Sequence, residues 1–145
     1  MAQARGGEDI RIGQGASALP AYLALPPAGH GPGVVVVQEW WGLVPHIRDV
    51  CDRFAREGFV ALAPDLYRGE RTTDPDVASR LMMDLDVPRA TEDLASAVTH
   101  LRNHHAVDGA RVGCIGFCMG GQLALSAACA NEGIGAVVDC YGIHP

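Results

Sequence analysis

The hexapeptide Gly116-Phe117-Cys118-Met119-Gly120-Gly121 constrains this chain more than any other stretch. It follows an apolar, β-like segment at residues 111–115 and precedes an Ala/Leu-rich, helix-like one at residues 122–130. Strand, G-x-C-x-G-G and helix in succession form the layout of a nucleophile elbow, with cysteine where serine is more familiar. A side chain on so sharp a turn sits in strained backbone, and a Cβ two residues to either side would collide with it. Gly116 and Gly120 remove those Cβ atoms. The following helix directs its N-terminus at the thiol and favours thiolate. It also leaves the Met119 N–H free to donate to an oxyanion. The alternative is a small structural cysteine in a tight βα turn. A phosphate cradle fits poorly, because the Lys-Ser/Thr of a P-loop is missing and the spacing is not G-x-G-x-x-G.

A chain of 145 residues buries one core, so a single domain is expected. Charged residues at 19% and hydrophobic ones at 48% fit a folded protein. The net charge of -6 supplies no basic stripe, which argues against a nucleic-acid partner. No basic-then-apolar leader and no apolar run of membrane-spanning length occur. Five cysteines at scattered spacing do not suggest a disulfide framework, and a reducing cytoplasm is the expected compartment.

The pattern predicts alternating strands and helices. Residues 21–25 alternate beside Pro20 and read as an early, antiparallel strand, with residues 1–20 a flexible or edge segment and residues 1–9 frayed. Gly33 and the valines through Val37 form a continuous β-branched run, as in a parallel strand buried on both faces. Ile47, Val50, Cys51 and Phe54 mark a helix over 46–57, followed by a strand at 59–63. Asp74-Pro75 opens a short helix, and Pro88 opens another with Leu94, Ala97, Val98 and Leu101 as its buried stripe. The helix after the elbow is apolar all round and is expected to be buried, and residues 135–141 form a last strand. The fold class is therefore α/β, a mostly parallel sheet with helices on both faces. Ligands bind such sheets beyond the carboxyl ends of the strands. The elbow lies at that edge, and so does Gln38-Glu39-Trp40-Trp41-Gly42.

The run from Gly33 through Gly42, Ala63-Pro64-Asp65-Leu66-Tyr67 and the elbow, in this order, resemble the dienelactone hydrolase (carboxymethylenebutenolidase) family of α/β-hydrolases. The likeness covers about residues 21–142. It implies a Cys-His-Asp triad in the order nucleophile, acid, histidine, with Cys118 as nucleophile. Glu39 takes the position of the glutamate that holds the resting thiol and accepts its proton. Trp40 takes that of the second oxyanion-hole N–H, beside Met119. A carboxylate at a buried strand end is a plausible proton acceptor, because desolvation raises its pKa. Its alternative is a capping or ion-paired carboxylate. The implied substrate is a small unsaturated lactone or ester carrying a carboxylate, and the implied chemistry needs no cofactor and no metal.

The family's acid and histidine lie well downstream of the elbow, and no residue here matches either. Asp139 and His144 follow the elbow helix too closely to be promoted. Truncation after the strand that follows the elbow is therefore expected, the alternatives being a C-terminal half supplied by another chain and a shortened, non-catalytic protein. Two rivals remain: a broader carboxylesterase or thioesterase, and a non-catalytic fragment that self-associates through its open last strand. His100 and His104 share a helical face, but no further ligand accompanies them. Cys51, Cys129 and Cys140 lie on apolar stripes and read as core filler, and Cys114 is expected to point into the sheet packing. Arg68, Arg71 and Arg80 follow the strand that ends at Asp65 and read as solvated charge.

Overall fold

The structure, a computed structural model, describes residues 6–142. Six strands form one sheet: β1 (Glu8–Ile12), β2 (Leu19–Ala24), β3 (Gly31–Val37), β4 (Val60–Pro64), β5 (Val107–Phe117) and β6 (Ile134–Cys140). Four helices connect them: α1 (Pro45–Arg56), α2 (Pro75–Met83), α3 (Val87–Arg102) and α4 (Met119–Ala130). The strand order is β1-β2-β4-β3-β5-β6. β1 and β2 pair antiparallel, as does β2 with β4, while β3, β4, β5 and β6 run parallel.

Two apolar layers sandwich the sheet. Val34 and Val36 face α1 with Ile47, Val50 and Cys51, whereas Val35 and Val37 face α3 and α4 with Leu94, Leu101 and Leu123. The unbroken valine run of β3 follows from this double burial, since each pleat meets a helix. Asp74 caps α2 by accepting from the Asp76 and Val77 N–H groups, and Asp86 caps α3 by accepting from Arg89. The chain moves from β3 outward to β4 and then returns across β3 to β5. Crossovers in opposite directions accompany α1 on one face and α3 and α4 on the other, as crossovers of a single hand require. The order therefore reverses between β3 and β5, where such sheets open a crevice.

Three expectations need correction. Glu8 and Asp9 are not frayed but belong to β1, held by pairing with β2, by an Arg48–Asp9 ion pair and by the Gly7 N–H on Asp52. Residues 1–5 lie outside the described residues. α4 is not buried all round: Met119, Leu123, Ala124 and Ala127 pack on the sheet and α3, while Leu125 is 40% exposed and Cys129 is exposed. Cys129 is thus not core filler, and Cys140 is only half-buried. Cys51 and Cys114 are buried, and desolvation pushes both thiols up to about 12. All five cysteines are free thiols, and among the described residues no helix is long and apolar enough to cross a membrane.

Candidate active site

β5 runs straight into Cys118, whose φ of 56° and ψ of -125° lie outside the regions an L-residue ordinarily occupies. Such a conformation costs on the order of 1–3 kcal/mol and persists only where its surroundings hold it. The Cys118 N–H donates to the Cys140 carbonyl at 2.9 Å, and its own carbonyl accepts from Gly121 at 2.9 Å. The glycines make the turn possible by close approach. A Cβ on Gly116 would strike the Gly120 carbonyl, one on Gly120 the carbonyls of Val37 and Gln38, and one on Gly121 the Asp139 carboxylate. Cys118 is partly exposed at the N-terminus of α4, and its thiol has no hydrogen-bond partner among the described residues. Met119 occupies the first helical position, where its N–H has no intrahelical acceptor.

Glu39 and Trp40 follow β3, the parallel neighbour of β5, so they reach the same crevice as Cys118. The Glu39 side chain is 19% exposed, and its Oε1 lies 3.9 Å from His46 Nε2 on α1, a loose pairing. Trp40 and Trp41 stack edge-on at 5.1 Å. Their loop is tied to the one after β4, with the Thr72 N–H donating to the Trp41 carbonyl and Gly42 seated against Glu70 at a φ of 96°. No hydrogen bond joins Glu39 to Cys118 among the described residues. The phenol of Tyr141 is pushed up first by desolvation and then by the charges of Glu39, Cys140 and Cys118.

Sequence reasoning gave neither Tyr67, quoted only as the last residue of a family-like motif, nor Tyr141 a role of its own. Tyr67 is buried, and its hydroxyl donates to Met119 Sδ at 3.5 Å. Burial first, and then the charge of Cys118, raise its pKa, so it stays a neutral phenol. Tyr141 stands just past β6 with its ring 6.3 Å from Phe117. Its position after a strand at the carboxyl edge was the available signal.

The arginines divide. Arg68, at a φ of 51°, is not solvated: its guanidinium binds Asp93 at 2.9 Å and the Ala18 carbonyl. Arg71 and Arg80 line an open cleft with Glu70 and Asp84. Asp139 accepts from the Gly142 N–H at 2.8 Å and closes the turn after β6, while His144 lies outside the described residues. The rings of His100 and His104 are 6.0 Å apart, and among the described residues no three His, Cys, Asp or Glu side chains cluster as metal ligands would.

A model of the dienelactone hydrolase family matches residues 19–145. Protein usf of Aquifex pyrophilus is 42% identical over 129 residues, which is 84% of this chain and 55% of that protein. A protein of Aquifex aeolicus bearing a carboxymethylenebutenolidase designation is 38% identical over the same coverage. A crystal structure from Klebsiella pneumoniae, described as a dienelactone hydrolase, superposes with a TM-score of 0.83 at 32% identity, over 96% of this chain and 61% of that one. The chain spans about half the length of the curated relatives it matches.

Proposed function

The chain belongs to the dienelactone hydrolase family, and we propose on that footing that it carries the acylating half of a lactone-hydrolysing site with Cys118 as nucleophile. One observation supports this above the rest. The strained turn sets a partly exposed thiol at a helix N-terminus, within the crevice that also receives Glu39 and Trp40.

Glu39 accepts the Cys118 proton once substrate displaces it from the resting arrangement. The thiolate then adds to the lactone carbonyl, and the Met119 and Trp40 N–H groups receive the oxyanion. Collapse breaks the ring C–O bond and expels an enolate, which leaves an acyl-thiol still joined to the opened ring. Water would release the acid by attack on that thioester. No group among the described residues hydrogen-bonds Cys118 as an activating base would, so this chain is expected to acylate and then stall. The substrate class is a small unsaturated lactone bearing a carboxylate, with no cofactor and no nucleic-acid or membrane partner.

A substrate comparison tests the reading. Dienelactone should be opened about once per chain, leaving its whole mass on Cys118, and a neutral aryl ester should release about one equivalent of phenol more slowly, neither with steady turnover. Sustained turnover would show that the chain holds its own deacylating base. No ring opening of dienelactone and no phenol from the ester would remove the acyl-transfer reading.

A further inference from the structure

One fully buried polar side chain has no task in this mechanism. Gln38 is 0% exposed, its Oε1 accepts from the Leu66 N–H at 3.0 Å, and its Nε2 has no partner among the described residues. A buried amide with an unmade donor carries a desolvation cost that an apolar side chain of similar volume would avoid. Packing alone therefore does not explain glutamine here, but its position does.

Gln38 follows the last residue of β3 and immediately precedes Glu39 and Trp40. Its carbonyl, with that of Val37, is the surface on which Gly120 sits without room for a Cβ. Its side chain grips the turn after β4 at Leu66, the neighbour of Tyr67. Tyr67 in turn reaches Met119 Sδ at 3.5 Å. That turn is itself stiff: Asp65 accepts from Tyr67 at 3.2 Å and from Gly69 at 2.8 Å, and its own N–H donates to the Pro20 carbonyl at 2.8 Å. The contacts close a ring that runs from Gln38 through Leu66 and Tyr67 to Met119, then through Gly120 back to Gln38.

We infer that Gln38 is a positioning residue, clamping the turn after β4 so that the Met119 N–H keeps its place relative to the Trp40 N–H. This rests on the reading in which those two groups hold the oxyanion. The two donors come from different loops, and an error of about half an ångström between them is enough to weaken such a site. Gln38 belongs to the first loop, abuts the second through its backbone, and holds the intervening turn through its side chain.

The test compares two reactions of the same thiol. Alkylation of Cys118 by iodoacetamide builds no oxyanion, whereas acylation by p-nitrophenyl acetate does. Peptide mapping follows both at Cys118 itself. Gln38→Met keeps the volume and removes the amide. It should slow acylation about 10- to 100-fold, less than the loss of a whole oxyanion donor. Alkylation should change by less than about twofold. Tyr67→Phe removes only the hydroxyl at Met119 and should give a smaller loss of the same kind, so it carries the test even if Gln38→Met does not fold. Equal slowing of both reactions, or of neither, overturns the inference. A wild-type chain that alkylates at Cys118 but never acylates overturns the oxyanion reading itself, and the clamp with it.

Discussion

At Cys118, we propose that Glu39 governs what the thiol does. An ionised carboxylate nearby disfavours the thiolate, and a protonated one does not. Glu39→Gln should therefore shift the pH profile of Cys118 alkylation toward lower pH, measured by timed labelling and mapping. An unmoved profile in a folded variant would mean that the two groups do not communicate. The exposed Cys129 should label alongside Cys118, whereas Cys51 and Cys114, buried and raised to about 12, should not label in the folded chain. The elbow was legible residue by residue because sterics demand those glycines wherever the turn occurs. Gln38 and Tyr67 were legible only as members of family-like motifs, and Tyr141 not at all, because the roles inferred for them depend on contacts between loops that no local pattern encodes.

The elements carry their own tests. Gly120 leans on the carbonyls of Val37 and Gln38, which cannot move without disturbing β3. Gly120→Ala should cost about 3 kcal/mol, the upper end for overpacking, read from denaturant unfolding. A near-neutral result would show that the elbow and β3 can separate. After α3, His104 Nδ1 accepts from the Ala106 N–H at 3.1 Å, an arrangement open only to the neutral ring. Burial first, and then His105 and His100, hold its pKa below the ordinary 6.5. The sign follows from linkage: the folded form binds this proton less readily, so its stabilising share is present above about 6.5 and is lost as pH falls through the lowered value. His104→Asn keeps an acceptor and removes the titration. It should flatten the fall in thermal midpoint between neutral and mildly acidic pH, and an unchanged slope would assign the fall to other groups. Periodicity found α1, α3 and the buried β3 well, since each meets a core on the face its pattern predicts. It missed β1 because Glu8 and Asp9 look like loop residues, and only pairing with β2 makes them strand. It overstated α4 because all-round apolar composition does not say what covers each side.

For the whole molecule, the strand order brings Glu39 and Cys118 to one crevice, and β6 lies at the end of that order. Val138 on β6 is 52% exposed and Leu125 on α4 is 40% exposed, so apolar surface faces outward at this end. We propose self-association through β6. Sedimentation should show concentration-dependent oligomers that Val138→Lys weakens, and a monomer at all concentrations would refute this. The central claim concerns one sulfur. Brief reaction with a chromogenic ester, acid quench and peptide mass mapping should find a single acyl group on Cys118, with Cys129 unmodified despite its exposure. Acylation spread over the exposed thiols, or found on Cys129 instead, would contradict the account.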